Sequence, residues 1–590
     1  MSGVSSHNLA PLEREKTGVT YTYEGLHGWK GIRYLRPFRG MYHDVRRRLP
    51  YYWSDIRDAW DYRTIASIVR MYFVNILPAI AYTMDMYRRT GEFYGINEGL
   101  FSSALAAMVF SILGAQPLTI VGITGLISLF NYTIFDIINI YDPSIYPNFM
   151  CWTAIWAAIF HWIAAVFNIC DYMRYVTDFS SEAFGMYVGI IYCIKGVEEL
   201  VNEFTAHGRD AGYLACMIAI LYFLTIYGLE KLGASTMWKP SIRGLLADYA
   251  YPLATLFWVG FAHFPGNLKS THIGFLPHTR AFYPTQDRGW LIHFWQLDVK
   301  WVFTALPFGF LTMLLFYYDH NVSSLTAQAR QFPLKKPAGF HWDFFLLGCT
   351  TFIAGIIGIP MPNGLVPQAP VNTDSLTVYE TTLRVIPTEE GEGAEIRRPV
   401  VEAKAVIEQR VSHFVMGLGI IGTMTGPLLI VLHTMPTAVF AGVFFIVGWG
   451  SIESNGIVKK AVFLMQEDRF IQRDGPLLTI RKRKVLLFIA LQGIGVAATV
   501  AISQTIAAIG FPVLITLLIP LRVWALPRWF SEKELDVLDD LTANNSAVLR
   551  SLGGSPKFPG QTEPGHEGEM RRYSQHHAGV SRQRTASISR

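Results

Sequence analysis

The chain has 590 residues, 51% of them hydrophobic and only 16% charged, with a formal net charge of +5. A soluble domain carries about 25% charged residues, and the deficit here gathers in apolar runs of about 20 residues, the length that spans a bilayer as a helix. This excludes an ordinary soluble enzyme and a nucleic-acid-binding protein, and it reads as an all-α polytopic membrane protein whose positive charge sits in loops and tails.

From the N-terminus, the first stretch is polar and offers no cleavable signal peptide. Residues 40–61 then mix Arg46, Arg47, Arg48 and Arg57 with Tyr51, Tyr52, Trp53 and Trp60, the composition of a segment lying on an anionic leaflet. Apolar runs follow near 64–85, 99–113, 116–135, 149–170, 182–204, 212–232, 245–264, 301–320, 342–360, 365–380, 411–432, 434–450, 485–503 and 505–527. They make about fourteen transmembrane segments, of which the third and tenth are short or interrupted. Lys and Arg concentrate in the connectors after even-numbered runs, for example Arg330, Lys335 and Lys336, and Lys459 to Lys484. The positive-inside rule then puts both termini in the cytoplasm. The sequons at Asn131, Asn321 and Asn544 fall in no outward loop on this map, so none is expected to carry a glycan. Residues 531–590 lack an apolar period and read as a disordered tail, whose end, 571–590, reads as merely solvated, with a phosphorylated regulatory tail as the alternative.

Seven segments on each side of about residue 290 suggest a duplication. Leu77-Pro78 and Thr83-Met84 in the first run are echoed at the same spacing by Leu306-Pro307 and Thr312-Met313 in the eighth, and Gln116-Pro117 by Gln368-Ala369-Pro370. An odd number of segments per copy makes the second copy inverted, a plan shared by secondary transporters with broken helices at the midplane.

Pro117 disfavours helix at Gln116, and β-branched residues follow, so the third run is expected to start extended, with a half-helix beginning near 122–124. In the tenth, Pro360, Pro362, Pro367 and Pro370 are expected to prevent regular helix before about 371, with Asn372, Thr373 and Asp374 as N-cap residues. Two such helix starts facing each other attract an anion; the competing reading is that the Gly and Pro residues serve close packing. Asp319 ends an apolar run in what is expected to be a continuing helix. It reads as a pathway acid, against a cap or interface acid. Lys195 and Glu199 share a helix face and suggest a structural or gating ion pair. The five cysteines show no metal or disulfide spacing. No phosphate-binding or nucleophile–base motif is present, so no enzyme activity, cofactor or metal is expected.

At RRLPYYWSDIRDAW, GAQPLTIVGITGLISLFNYT, TDFSSEAF, YYDHNVSS, LKKPAGFHWDFFLLG and PNGLVPQAPVNTDSL, the chain resembles the bicarbonate-transporter superfamily of anion exchangers. Within it, the fungal and plant borate-exporter branch is the nearer match, over residues 40–527. The resemblance implies fourteen segments in two inverted seven-segment repeats, with half-helices at segments 3 and 10. It implies an N-terminal tail (1–62), a core domain (63–170 and 298–432), a gate domain (171–297 and 433–530) and a C-terminal tail (531–590). Homodimerisation through the gate is also implied. Bicarbonate/chloride exchangers have an Arg just before the tenth half-helix, where this chain has Gln368, which favours the borate branch. The expectation is a plasma-membrane exporter (vacuolar membrane as the alternative) that moves borate by elevator-like alternating access in contact with membrane lipid. Gln116, Thr124, Gln368, Asn372 and Thr373 would be hydrogen-bond partners of the anion, and Asp319 an acceptor of its hydroxyls or carrier of a coupled proton. The rivals are a bicarbonate or other inorganic-anion exchanger, a nucleobase or sulfate transporter of the same architecture, and a membrane scaffold or trafficking protein acting through its tails.

Overall fold

The computed structural model describes residues 35–233, 235, 237–387, 395–467, 475–543 and 546–552; the first stretch of the N-terminal tail, Asn544 and the end of the C-terminal tail lie outside them. Two short helices come first, α1 (Arg39–Arg48) and α2 (Tyr52–Arg57). α1 buries Gly40, Met41, Asp44 and Arg48, while Trp53 and Trp60 beyond it are 77% and 92% exposed. The Asp44 carboxylate accepts the His341 backbone N–H at 2.9 Å and so caps a spanning helix from outside. Burial pushes the Asp44 carboxyl up, but hydrogen bonding and charge from His341 outweigh it and leave the group below its ordinary value.

The first seven segments are α3 (Tyr62–Arg89), α4 (Ile96–Leu113), strand β1 (Val121–Gly122) with half-helix α5 (Gly125–Asn139), α6 (Tyr146–Val166), α7 (Asp178–His207), α8 (Arg209–Gly233), and the pair α9 (Pro240–Asp248) and α10 (Ala250–Ala262). The second seven are α11 (Val299–Ala327), α12 (Phe340–Ile357), strand β2 (Asn363–Gly364) with half-helix α13 (Gln368–Ser375), the pair α14 (Val411–Thr423) and α15 (Gly426–His433), α16 (Thr437–Ser454), α18 (Lys482–Ser503) after the short α17 (Gly456–Met465), and α19 (Phe511–Trp524). Among the described residues nine helices are long and apolar enough to cross a membrane. The bent pairs α9–α10, at 62°, and α14–α15, at 82°, raise this to eleven. The remaining predicted segments are the two half-helices and α7, whose Lys195, Glu198, Glu199 and Glu203 lower its apolar character. In α15 the bend is built by Gly426-Pro427, since Pro restarts a helix at its first turn. The chain is mostly helical, as predicted, and the echoed prolines Pro78 and Pro307 both lie inside long helices, α3 and α11.

α6 packs against α11 and α12, and α4 against α14 and α3; α7 and α8 pack on α16. Small residues permit these close crossings without an apolar driving force between helices: a Cβ built on Gly355 would lie 2.4 Å from that of Ala154. Asn131 and Asn321 are fully buried.

Two expectations are corrected. The tenth run does not continue as membrane helix to 380. From Thr377 it becomes β3 (Thr377–Pro387), paired antiparallel with β4 (Glu395–Val406); the Thr, Val and Tyr content of TVYETTLRVIP suits a strand. The first part of the C-terminal tail is not disordered. Residues 531–543 are ordered, and Leu538, Asp539 and Ala543 are buried, as are Val548 and Leu552 beyond them. Asp539 accepts the Phe179 N–H at 2.8 Å and the Arg522 Nε–H at 2.6 Å, and the Ser551 hydroxyl donates to Asp44 at 2.8 Å. An apolar period is absent because polar anchors hold the segment. Replacing Asp539 by Ala is expected to cost about 1.5–3 kcal/mol, the worth of hydrogen bonds to a charged group, seen as a lower melting temperature in detergent. An unchanged melting temperature would show that the segment contributes nothing.

Candidate functional site

The site forms where the two interrupted segments meet. After α4, the amides of Ala115 and Gln116 donate to Asp343 at 2.6 and 2.9 Å, and the chain runs extended to β1. β1 pairs antiparallel with β2, Val121 opposite Gly364 and Gly122 opposite Asn363, and the Leu365 N–H reaches the Ile120 carbonyl at 2.9 Å. The two strands carry the helix starts to the same place from opposite directions, as an inverted repeat requires. α5 starts at Gly125 with Thr124 as N-cap, its hydroxyl accepting the Ile127 N–H at 3.3 Å, next to the predicted 122–124.

α13 starts at Gln368, earlier than predicted. Pro370 occupies its third position, inside the first turn, where a missing N–H costs nothing. Asn372, Thr373 and Asp374 are therefore interior residues of α13 rather than caps.

One narrow cleft of about 10 Å³ is lined by Thr124, Gly125, Pro367, Gln368, Asp319 and, from α3 and α7, Tyr82 and Tyr192. That is room for about one water. The structure thus brings together Thr124, Gln368 and Asp319. It directs the other three predicted site residues elsewhere. The Gln116 side chain accepts the Leu118 N–H at 3.3 Å; Asn372 donates to the Leu118 carbonyl at 2.9 Å and accepts from Ser67 at 3.2 Å; the Thr373 hydroxyl donates to the Ala327 carbonyl at 2.8 Å. The Asn372 and Thr373 bonds fasten α13 to its neighbours, while the Gln116 bond stays within its own extended segment.

Asp319 lies inside α11, 2% exposed, and accepts from Asn363 Nδ2 at 2.8 Å. Asn363 Oδ1 in turn accepts the Gly364 N–H at 2.8 Å, so strand β2 orients the carboxylate. Gln368 Nε2 donates to the Tyr192 hydroxyl at 3.4 Å. Among the described residues no Lys or Arg lines the cleft. With Ile127 capped and Pro370 lacking an N–H, the residues of the two helix starts that line the cleft and have first-turn amides are Gly125, Leu126 and Gln368. Tyr82, Tyr192 and Asn363 were not singled out from sequence. Asn363 had a signal in the Pro-Asn-Gly break; the two tyrosines sit in long apolar runs and had none.

Two glycines are required by close approach. A Cβ on Gly125 would lie 2.3 Å from the Tyr82 ring, and one on Gly364 would lie 2.9 Å from the His320 backbone. Gly125→Ala is expected to destabilise by about 1–3 kcal/mol through overpacking, measured as a drop in melting temperature. Gly228→Ala, where an added Cβ meets nothing within 4 Å, is the control that should show no drop.

Lys195 and Glu199 do not pair. Lys195 meets Asp85 of α3 at 3.0 Å and Glu198 at 2.7 Å, whereas Glu199 holds Arg88. Across the seam, α3 supplies Asp85 to Lys195 and Arg88 to Glu199.

A family model described as the HCO3- transporter integral membrane domain matches residues 36–209 and 205–543. A Schizosaccharomyces pombe protein is 43% identical over 499 residues, covering 84% of this chain and 95% of that one. Boron transporter 1 of Saccharomyces cerevisiae is 41% identical over 524 residues, covering 87% of each chain. Anion exchange protein 2 of Equus caballus is 25% identical over 85% of this chain but only 44% of its own length, so the chain spans less than half of that relative. The solved structure of SLC26A9 is similar at a TM-score of 0.50 and 12% identity, over 80% of this chain and 67% of that one, a likeness of fold alone.

Proposed function

Because the chain belongs to the HCO3- transporter integral membrane domain family, and is therefore a multi-pass anion transporter, we propose that its substrate is borate, carried out of the cell. The observation that carries this reading is a carboxylate, Asp319, facing the starts of two half-helices in a cleft without a lining cation. A fixed carboxylate repels a bare anion such as chloride. Borate, a tetrahedral monoanion, carries four hydroxyls that donate to Asp319 while its oxygens accept from Gln368, the Thr124 hydroxyl and the backbone amides. The similarity to a protein named boron transporter supports the same substrate.

Transport proceeds by elevator-like movement of a core domain (63–170 and 298–432) against a gate domain (171–297 and 433–530). The cleft lies on their seam, with α3, α11 and the half-helices on one side and α7 on the other. At about 10 Å³ it is tighter than the anion needs, so movement along that seam opens it. The protein works as a homodimer through the gate domain in the plasma membrane, with both termini in the cytoplasm. Asn372 and Thr373 support the site as fasteners of α13, and Gln116 braces the extended entry to α5.

The test is boron accumulation in cells lacking and regaining the protein. Restored export supports the reading. Chloride-dependent bicarbonate flux without boron export would replace it with the reading as a bicarbonate or other inorganic-anion exchanger, in keeping with the anion-exchange name of the Equus caballus relative.

A further inference from the structure

A second cavity, of about 640 Å³, opens between the last turns of α3, the second half of α7 and Ile452 of α16; Asp85, Arg88, Arg89 and Glu198 form its charged part, and the rest, Cys193 included, is mostly aliphatic side chains of α7. On α3 it lies one helical turn beyond the narrow cleft; on α7 its lining runs from Ile190 to Asn202, alongside the turn that bears Tyr192 and on past it. Tyr82 and Asp85 are three apart on α3, and Tyr192 and Lys195 three apart on α7, so each pair shares a face. The layer separating the two spaces is aromatic. The Tyr82 and Tyr192 rings meet edge to face at 5.2 Å, and Phe444 of α16 lies 4.9 and 5.9 Å from them. Directly above, Lys195 bridges Asp85 at 3.0 Å and Glu198 at 2.7 Å, and lies 5.1 Å from the Tyr132 ring centre. Lys195 is 6% exposed, and its bond to Asp85 is a direct charged link between α3 and α7.

We infer that the larger cavity is the vestibule through which the anion leaves, that Tyr82, Tyr192 and Phe444 are the gate closing the cleft toward it, and that the Lys195–Asp85 pair is the latch holding this gate shut. The inference rests on the transport reading above. An anion cannot pass the tyrosines while α3 and α7 are clasped, because the rings fill the passage. Parting the clasp frees the Lys195 ammonium to meet the anion as it clears the rings. The charged residues that line the cavity balance, Arg88 and Arg89 against Asp85 and Glu198.

The native Cys193 provides the probe. In intact cells, the membrane-impermeant, anionic reagent methanethiosulfonate ethylsulfonate is applied from the side of the α3–α4 turn. It is expected to modify Cys193 and not the Cys193→Ala protein. In the Cys193→Ala background, a cysteine at Val188, which lines the narrow cleft, is expected to be protected. It should react about tenfold faster or more when Lys195→Gln or Asp85→Asn opens the latch, and Lys195→Arg should restore protection. Size-exclusion profiles and surface expression report whether each variant is folded. Equal reactivity of the Val188→Cys thiol with latch intact or broken in folded protein overturns the gate. Cys193 that reacts with a lipid-soluble maleimide but not the charged reagent overturns the vestibule, since the cavity then holds lipid. These readouts need no borate, so failure of the borate assay with the labelling pattern intact would overturn the substrate and leave the gate standing.

Discussion

Cells carrying Asp319→Asn are expected to accumulate boron as though they had no exporter, a loss of transport of about tenfold or more. The substitution keeps the shape of the side chain and an oxygen for the Asn363 amide, now held at 2.8 Å, but removes the charge and one strong acceptor. If Asp319 only shaped the cleft, Asn would serve. If it accepts the hydroxyls of borate or carries a proton with it, Asn cannot, because an amide offers one weaker acceptor where a carboxylate offers two. Asp319→Ala should fail as well, and the pair separates charge from volume. Surface expression equal to that of the parent protein is the necessary control, since Asp319 is buried in α11. Wild-type export by well-expressed Asp319→Asn would remove the carboxylate from the mechanism.

The sequence exposed those features of the site that depend on backbone chemistry. A proline that cannot donate and a run of β-branched residues placed the extended entry to α5, which starts at Gly125, next to the expected 122–124. The same reasoning set α13 a few residues late, because it treated Pro370 as a breaker when Pro is welcome in a first turn. Long-range proximity was less legible. That Lys195 would choose Asp85 across the seam over Glu199 on its own helix depends on how α3 and α7 cross. Tyr82 and Tyr192 look like any aromatic in an apolar run until their helices converge. The ordered part of the C-terminal tail was missed for a related reason. Its anchors, Asp539 and Ser551, are polar residues whose partners lie hundreds of positions away, and composition does not register such contacts.

Asp55→Ala is expected to give the largest loss of stability, about 3–5 kcal/mol, the cost of leaving buried charges without their partner. Asp55 is fully buried in α2 and binds three cations, two of them from distant parts of the chain. Its Oδ2 accepts from Arg48 at 2.6 Å and Arg410 at 2.8 Å, and its Oδ1 accepts from Lys336 at 2.8 Å. Arg48 and Arg410 are themselves about 5% or less exposed, so neither can turn to water when the carboxylate is removed. An exposed pair offers the contrast: Glu380 and Lys404 on the β3–β4 hairpin are more than half exposed, and Glu380→Ala should cost about 1 kcal/mol or less. The consequence reaches the site. Arg410 also donates to the carbonyls of Ser111 and Ile112 at 2.8 and 3.0 Å, at the C-terminal end of α4 where the chain turns toward β1. Loosening that grip frees the entry to the third segment, so Asp55→Ala should lower the melting temperature and impair transport together, whereas Glu380→Ala should do neither. The measurement is melting in detergent alongside boron export. An Asp55→Ala protein that melts with its parent would show that Arg48, Lys336 and Arg410 find other partners, and that this junction does not hold the half-helix in place.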